Sequence, residues 1–311
     1  MAIIRISPED VIKASKESFA DRFFDKTLPV QYKNLDMGMP AYTKWSFDFF
    51  KERCVGIYCQ VSDDLSDPSK ITRKIPIAEY IDLVQNDLAA PYMIGWSYQK
   101  HAPELDQDIN FPAFHPNDFI SRLPQNMQFH RRWIFFGKKG INCDLHIDCF
   151  STSAWLIMIR GQKTFRAISP LQRHEISMTA SLFNEETVTD LANKHIDILE
   201  YVLTPSTILY VPTGWVHEIR NDSNNIMITG GFTAQQHAIR FYKNYHAYIS
   251  KNSYESDLVF VDYLNQLNRS EITLSEEVRD SIHEELAYTQ EKIQLLKQKE
   301  KIYADLLSKV S

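Results

Sequence analysis

The pattern of hydrophobic and polar positions changes near residue 132, where short apolar or alternating stretches begin. Such stretches, separated by turn residues, are typical of β-strands. The predicted strands are Trp133–Phe136, Asp144–Cys149, Ala154–Arg160, Lys163–Ile168, Thr207–Val211, Val216–Arg220 and Ile226–Phe232. Between two of them, Gly161 and Gln162 predict a hairpin with a two-residue loop. So many short strands at close spacing predict a β-sandwich or a barrel.

Helical patterns flank this β region on both sides. Residues 8–25 are predicted to be helical because Ser7–Asp10 resembles a helix N-terminus, with Pro8 at the first position and acids in the first turn. Residues 77–88 have the apolar spacing of a helix, and residues 237–251 and 257–267 are also predicted to be helical. The pattern therefore predicts a mainly β fold with helical flanks, in three parts. These parts are an N-terminal helical or mixed portion (1–130), a β core (131–233) with an insertion at 171–203 that is helical around Glu185–Lys194, and a C-terminal helical segment (234–311).

The last predicted helix begins at a capping box from Thr273 to Glu276 and carries a stripe close to a heptad repeat. The apolar members of the stripe are Ile282, Leu286, Ile293, Leu296, Tyr303 and Leu307. Glu300 interrupts the stripe. An amphipathic helix must cover its apolar side, either against its own β core or against a second chain. We favour the second interpretation, a homodimer built on the C-terminal helices.

Composition and charge narrow the classes of function. The chain has 311 residues and a net charge of −6, which argues against the basic face of a nucleic-acid-binding protein. Its start lacks the apolar region of a signal peptide, and no apolar run is long enough to span a bilayer. The four cysteines lack the spacing of a zinc knuckle, and Cys143 and Cys149 are interpreted as small packing residues. We therefore expect a cytoplasmic protein with reduced thiols.

Three candidate metal ligands lie within the β region. His146 and Asp148 are two residues apart, so in an extended segment their side chains point to the same face. His217 follows a turn at Pro212–Gly214 that could direct its strand back towards the pair. Two imidazoles and one carboxylate suit an open Fe(II) site of an oxygenase, whereas a structural zinc site is closed by four ligands. A His-x-Asp pair also occurs by chance, so the prediction depends on the three residues together.

Two further residues are candidates for binding an anion beside this site. Lys163 begins an apolar strand and shares one face with Phe165 and Ala167. It is either exposed at the turn or directed inward, where its charge needs an anion. Thr229 lies on the strand after His217. A lysine and a hydroxyl that converge beside a metal would hold one carboxylate of a dicarboxylic keto acid.

These motifs resemble those of the jumonji-C, cupin-like hydroxylases. The resemblance rests on His146–Lys163 and on Tyr210–His217 with Ile228 and Thr229 after it, and it covers residues 25–233. The subgroup most similar to the chain contains the jumonji lysyl hydroxylase of splicing factors. The asparaginyl hydroxylase of hypoxia-inducible factor is a more distant relative.

The resemblance implies a double-stranded β-helix, also called a jelly roll, that uses Fe(II), 2-oxoglutarate and O2. It implies that His146, Asp148 and His217 bind the iron and that Lys163, Thr229 and Tyr92 hold 2-oxoglutarate. The expected reaction is hydroxylation of a C–H bond in a protein, peptide or amino-acid side chain, with succinate and CO2 as co-products. Natural-product hydroxylation and N-methyl demethylation are alternatives of the same class.

Departures from the family pattern affect the expected co-substrate site. Leu156 stands where the lysyl-hydroxylase subgroup has an Asn, and Cys143 stands where relatives often have a Thr. Thr204–Ser206 replaces a Pro-Gly-Asp turn. Two other classes remain open: a non-catalytic metal-binding cupin that acts as a scaffold or sensor, and a metal-dependent isomerase or dioxygenase that uses no keto acid. The second of these classes, which uses no keto acid, predicts that Lys163 is irrelevant.

Overall fold

The computed structural model describes residues 3–6, 9–10, 28–33, 38–64, 70–109, 118–123, 128, 131–234, 237–248, 261, 264–265, 269 and 276–307. Most of the predicted helices at 8–25 and 257–267 lies outside these ranges, as does Thr273. Where the first of them is described, at Glu9–Asp10, the prediction of a helix is wrong, because these residues pair as a strand.

The described elements form a mainly β structure with helices before and after the β region. In chain order the strands are β1 (Ile3–Arg5), β2 (Glu9–Asp10), β3 (Val30–Lys33), β4 (Tyr58–Ser62), β5 (Arg73–Pro76), β6 (Tyr92–Met93), β7 (Arg132–Gly137), β8 (Asn142–His146), β9 (Ser153–Arg160), β10 (Lys163–Ile168), β11 (Ile198–Leu203), β12 (Ile208–Val211), β13 (Val216–Asn221) and β14 (Asn225–Phe232). The α-helices are α1 (Ala41–Lys44), α2 (Phe47–Arg53), α3 (Ile77–Gln85), α4 (Glu185–Asn193), α5 (Ala238–Tyr248) and α6 (Glu276–Leu307). Short 3-10 helices cover Tyr98–Lys100, Pro103–Asp108, Phe119–Arg122, Cys149–Ser151 and Pro170–Glu175.

Two sheets form the predicted double-stranded β-helix. The smaller sheet has the strand order β1-β11-β10-β13-β8, and the larger has the order β2-β3-β12-β9-β14-β7. Side chains from both sheets meet in a shared interior, where Leu156, Met227 and Leu209 of the larger sheet pack with Phe165 and Ile219 of the smaller. The alternate positions of β9 lie on the opposite face, so this central strand is buried on both sides.

The predicted hairpin at Gly161 and Gln162 is wrong. β9 pairs with β12 and β14, whereas β10 pairs with β11 and β13, so the two strands belong to different sheets. The turn therefore carries the chain from one sheet to the other. The predicted insertion at 171–203 also contains an unpredicted strand, β11, which pairs with β10. The predicted helix at Glu185–Lys194 is confirmed as α4.

The helices before the β region cover the outer face of the larger sheet. The side chain of Ser46 caps α2 by accepting a hydrogen bond from the backbone N–H of Phe49. α3 buries Ile77, Tyr80, Ile81 and Val84, which recur at helical spacing. These side chains share one core cluster with Ile157 and Ile228 of the larger sheet. A third sheet of three strands, in the order β5-β4-β6, belongs to the same portion.

Contacts divide the chain into two compact units. The first comprises Met1–Asp118 and Phe129–Ala234, and the second comprises Phe119–Gln128 and Gln235–Ser311. In the second unit α5 buries Phe241 and Tyr245, whose rings stack with their centroids 5.2 Å apart. Lys243 of α5 forms an ion pair with Glu284 of α6 at 3.1 Å. Among the described residues, no helix is both long and apolar enough to cross a bilayer.

We predict that Gly161 is required for the crossing between the sheets. Its φ is +78°, and a Cβ there would lie 2.3 Å from the carbonyl oxygen of Asn224. Gly140 has a similar φ of +79°, but a Cβ there would meet no atom within 4 Å. Gly140→Ala should therefore cost only the backbone strain, about 1–2 kcal/mol. Gly161→Ala should cost about 1–3 kcal/mol more, because it also adds a steric clash. Urea denaturation measures both, and equal losses would contradict the predicted crowding.

Candidate metal centre

The three predicted metal ligands lie together at one end of the β core. One ligand atom from each of His146, Asp148 and His217 lies within 4.8 Å of the other two. His146 ends β8 and pairs directly with His217 of β13. The two imidazole rings have their centroids 4.1 Å apart. The arrangement offers two ring nitrogens and one carboxylate oxygen on one side of a common point.

A β-bulge in β8 sets the direction of His146. The register between β13 and β8 runs from His217 opposite His146 to Ile219 opposite Cys143. Three steps along β8 thus match two steps along β13, which is how a bulge adds a residue to one strand. As a result, Cys143 and His146 both line the interior, although they are an odd number of residues apart. Alternation alone would have placed them on opposite faces.

Backbone carbonyl groups fix the orientation of both imidazoles. Nδ1 of His146 lies 2.7 Å from the carbonyl oxygen of Asp144, and Nδ1 of His217 lies 3.0 Å from that of Trp215. In each ring the Nδ1–H donates to the carbonyl, which leaves the lone pair on Nε2 free to bind a metal. The ring of Phe165 stacks on one face of the His217 imidazole, with the ring centroids 5.0 Å apart.

Asp148 does not lie on the strand that carries His146. β8 ends at His146, and Asp148 precedes the short 3-10 helix Cys149–Ser151. The expectation that both side chains extend from one strand is therefore wrong for Asp148. Within this 3-10 helix, Phe150 and Ser151 have φ values of 54° and 56°, a region that non-glycine residues seldom adopt. This tight turn begins directly after the carboxylate.

The buried site favours neutral imidazole at His217. Burial, with His146 nearby, lowers the pKa of His217 to about 4. A metal binds the neutral form of histidine, so His217 is in the competent form at pH 7. Burial also lowers the pKa of His146, but Cys143 and Asp148 more than offset this and raise it overall. The two rings therefore differ in how readily they give up a proton.

A cavity of about 170 Å³ opens beside the three side chains. Phe135, Leu156, Ile219 and Met227 make much of its wall apolar. Pockets for drug-sized ligands are larger, about 300–1,000 Å³. The polar side chains that reach the cavity include Tyr92, Cys143, Lys163 and Thr229. The space therefore suits a metal ion with a small acid rather than a large ligand.

Lys163 places a positive charge in this cavity. Only 5% of the residue is exposed, and Nζ lies 5.6 Å from the centre of the Phe135 ring. Burial lowers the pKa of Lys163 to about 8, although Cys143 acts in the opposite direction. Among the residues that the structure describes, no acid forms an ion pair with this ammonium. A buried cation without a protein partner indicates that an anion binds beside it.

Tyr92 and Cys143 line the cavity together with Lys163. Cys143 packs against the interior core cluster, as the sequence predicts, and it also reaches the cavity. The thiol of Cys143 lies 3.7 Å from Nδ1 of His146 and is hydrogen-bonded to the hydroxyl of Tyr92. Burial raises the pKa of Tyr92, so its hydroxyl stays protonated and can donate. The bulge in β8, which the sequence pattern does not reveal, is what directs Cys143 inward. Cys143 thus belongs to the cavity wall.

Thr229 reaches the cavity with its hydroxyl already engaged. Its Oγ1 donates a hydrogen bond to the carbonyl oxygen of Trp155 at 2.8 Å. The hydroxyl would have to rotate before it could donate to a bound carboxylate. Leu156 lies directly opposite Thr229 across the strand pair and contributes no polar group. The polar end of the cavity is therefore defined chiefly by Lys163 and Tyr92.

The donor set fits Fe(II). Two imidazoles and one carboxylate beside a cavity are the ligand types of the facial non-haem iron sites. A closed structural zinc site would need a fourth protein ligand, commonly a cysteine. Cys143 points its sulfur towards Nδ1 of His146, the nitrogen that faces away from a metal bound at Nε2. The residues present thus favour an open site.

Comparisons with known proteins agree with this geometry. A family model described as a cupin-like domain matches residues 15–236. The chain is 25% identical over 241 residues to an arginine-specific demethylase JMJ22 of Arabidopsis thaliana, covering 72% of this chain and 46% of that protein. It is 23% identical over 188 residues to the 2-oxoglutarate and iron-dependent oxygenase JMJD4 of Danio rerio, covering 55% and 44%. It is 20% identical over 233 residues to a bifunctional arginine demethylase and lysyl-hydroxylase psr-1 of Caenorhabditis elegans, covering 70% and 58%.

The chain spans only part of the length of these curated relatives. For the three named relatives the share is 46%, 44% and 58%. The matched region includes the whole candidate metal centre, since residues 15–236 contain His146, Asp148 and His217.

We predict that His217→Ala weakens binding of a divalent transition metal by about 100-fold or more. Loss of an outer partner of a ligand already costs about 10–100-fold, and loss of a ligand should cost at least as much. His174→Ala is the matched control, because His174 is 76% exposed in its side chain and pairs with Glu175 on the surface. Anaerobic titration with Co(II) measures both affinities. Equal affinity in the two variants would show that His217 is not a ligand.

Proposed function

The chain belongs to the cupin-like domain family, and from this we propose that it is an Fe(II)- and 2-oxoglutarate-dependent oxygenase. One observation carries the proposal: Lys163 is buried, has no ion-pair partner among the described residues, and shares a cavity with a cluster of two histidines and one aspartate. The first feature calls for a small anion and the second for a metal. A keto acid with a second carboxylate answers both requirements at once. Proteins named as 2-oxoglutarate and iron-dependent oxygenases are among its relatives.

Each side chain then has a distinct part in binding. His146, Asp148 and His217 would hold the iron, which with O2 and 2-oxoglutarate supplies the oxidising chemistry. Lys163 would pair with the far carboxylate of 2-oxoglutarate, and Tyr92 would donate a hydrogen bond to it. Thr229 would contribute after rotation of its hydroxyl. The apolar wall formed by Leu156, Met227 and Phe135 would exclude water from the keto acid.

The proposed reaction is hydroxylation of a C–H bond in a protein, peptide or amino-acid side chain. The cavity of about 170 Å³ leaves little space beyond the co-substrate, so only the end of a side chain would enter it. N-methyl demethylation is the second candidate, because some relatives are named as arginine-specific or lysine-specific demethylases. Both begin with attack on a C–H bond. Hydroxylation adds one oxygen atom to the product, whereas demethylation removes a methyl group as formaldehyde.

A turnover assay distinguishes the proposed enzyme function from that of a non-catalytic cupin. Iron-loaded protein is incubated with 2-oxoglutarate and O2, and succinate is measured against a His146→Ala control. We expect succinate well above the control. A chain that binds iron and 2-oxoglutarate but forms no succinate, with a broad set of peptides as substrates, would indicate a scaffold or sensor. Mass spectrometry of the converted peptide then separates oxygen gain from methyl loss.

We predict that Lys163→Met lowers the affinity for 2-oxoglutarate by about 30-fold or more. Leaving one partner of a buried charge pair unpaired costs about 2–5 kcal/mol, and each 1.4 kcal/mol is tenfold. The affinity for iron should barely change, because Lys163 is not a ligand. The measurement is an anaerobic titration of the Fe(II) protein that follows the metal-to-ligand charge-transfer band.

Lys138→Met is the matched control for that titration. Lys138 also lines the cavity, but its ammonium pairs with Asp87 and needs no further anion. Its loss should change the affinity for 2-oxoglutarate less than threefold, since the charge is already offset. If Lys163→Met binds 2-oxoglutarate with unchanged affinity, the assignment of the co-substrate to this cavity is wrong. That result would favour an enzyme that uses no keto acid.

We also propose that the chain forms a homodimer through α6. The predicted stripe is exposed in the single chain, where Leu286, Ile293, Leu296 and Tyr303 are 45–63% exposed. The side chains of Tyr288, Leu295 and Ile302 are also exposed. They make the apolar surface of α6 wider than the contact strip of a two-stranded coiled coil. So large an apolar face is seldom left in water. The heptad spacing suits a second copy of the same helix.

We predict that Leu286→Arg combined with Leu296→Arg yields monomers, because two buried charges would oppose each other across the interface. Gln290→Arg, at an exposed polar position of α6, is the control and should leave the dimer intact. Light scattering at micromolar concentration gives the mass of each. A monomer of the unaltered chain would contradict the proposed dimer.

The proposed location is the cytoplasm, in keeping with four cysteines that are free thiols. Burial raises the pKa of Cys54 and of Cys59 to about 12, which keeps both protonated and unreactive. Imaging of the tagged full-length protein tests this assignment directly.

A further inference from the structure

The insertion between β10 and β11 packs behind the candidate metal ligands. Its residues Leu182 and Leu191 share a buried cluster with Leu145, Ile147 and Val216 of the β core. Leu145 and Ile147 flank His146, and Val216 precedes His217. The side chains that alternate with the candidate ligands therefore contact the insertion, on the face opposite the cavity.

Three consecutive residues of the insertion, Ser181–Phe183, are held by polar groups of the sheet, and we call this segment the 181–183 clasp. The hydroxyl of Ser181 donates to Oε1 of Glu218 at 2.8 Å, and the backbone N–H of Leu182 donates to Oε2 of the same carboxylate. The carbonyl oxygen of Leu182 accepts from Nη1 of Arg166 at 2.8 Å.

An aromatic contact completes the 181–183 clasp. The ring of Phe183 contacts two guanidinium groups, with its centre 4.6 Å from Cζ of Arg166 and 4.5 Å from Cζ of Arg220. Such cation–π contacts stabilise by about 0.5–2 kcal/mol each. The clasp is thus fastened to β10 and β13 by side chains of both strands.

Glu218 occupies the central position in this arrangement. It follows His217 directly in β13, and because side chains alternate along a strand it points away from the cavity. Only 2% of Glu218 is exposed, yet its carboxylate receives two hydrogen bonds from the clasp. Both neighbours of His217, Val216 and Glu218, are therefore anchored to the insertion.

A row of charges supports the carboxylate of Glu218. Arg166 lies directly opposite Glu218 on one side and Glu200 on the other. Glu200 binds Arg166 at 2.6 Å and Arg5 at 2.9 Å, so the row crosses the sheet with alternating sign. Among the described residues, Glu200 makes no direct hydrogen bond to the clasp, which it reaches only through Arg166, and it lies two strands away from His217. It is thus a buried acid on the same face with a different set of contacts.

We propose that Glu218 is a positioning residue for the metal centre, which it serves by tying the 181–183 clasp to the strand that carries His217. The direction of the His217 side chain depends on the path of the backbone from Val216 to Glu218. The clasp fixes that path from outside the barrel. The insertion is then the outer support of the metal ligands, whatever else it contributes to the recognition of substrate. The inference rests on the proposed metal site.

The test compares three full-length variants by titration with Co(II), whose visible absorption bands report the geometry of its ligands. Glu218→Ala releases the clasp and should weaken Co(II) binding about tenfold, the lower end of the range for partners of metal ligands, with shifted bands. Glu218→Gln should restore most of the affinity, since its amide can accept from Leu182 and donate to Ser181. Glu200→Ala should lower the melting temperature but leave Co(II) affinity within about twofold.

Two outcomes would overturn the inference. One is unchanged Co(II) affinity and bands in folded Glu218→Ala, and the other is an equal loss in Glu200→Ala, which would indicate a general effect of stability. If Glu218→Ala does not fold, Ser181→Ala removes one of the two hydrogen bonds and should weaken binding about threefold, with unchanged affinity as the contrary result. Failure of the unaltered chain to bind Co(II) would instead overturn the proposed metal site, and the inference with it.

Discussion

The direct pairing of His146 with His217 across β8 and β13 is the constraint on which the site depends. Backbone hydrogen bonds hold the two strands at a fixed separation. The two imidazole rings therefore lie close together, with their centroids 4.1 Å apart. The bulge in β8 then rotates His146 inward, and backbone carbonyl groups hold each ring by Nδ1. Asp148 needs only a short turn to complete the cluster. The directions of the two imidazole donors are thus set first by main-chain interactions of β8 and β13.

The two faces of the smaller sheet carry different groups of side chains. The inner face carries the histidines and Lys163, and the outer face carries the charge row and the contacts to the insertion. Because side chains alternate along each strand, each inward residue lies between two outward ones, and the positions of the two groups depend on each other. Burial lowers the pKa of the two main inward groups, His217 to about 4 and Lys163 to about 8, so at pH 7 only the lysine is charged. The His217 ring is therefore neutral for a metal, and the charge of Lys163 calls for an anion.

Much of the β core could be predicted because its strands are short apolar stretches bounded by turn residues, as β7 and β9 are. β11 was missed because Glu200, a buried acid satisfied by Arg166 and Arg5, breaks its apolar pattern. The hairpin at Gly161 was predicted wrongly because a tight turn serves equally well within a sheet or between sheets, and distant strands decide which. The site residues followed from spacing and from the resemblance. The placement of Cys143 on the cavity wall did not, since a bulge leaves no mark in the local pattern.

The central claim is that one cavity holds both the metal and the far carboxylate of the keto acid. A crystal structure of the protein grown without O2, with Mn(II) in place of iron and with 2-oxoglutarate, tests it most directly. The account predicts Mn(II) bound to His146, Asp148 and His217, with a carboxylate about 2.7–2.9 Å from Nζ of Lys163. Metal bound elsewhere, or 2-oxoglutarate bound away from Lys163, would contradict it.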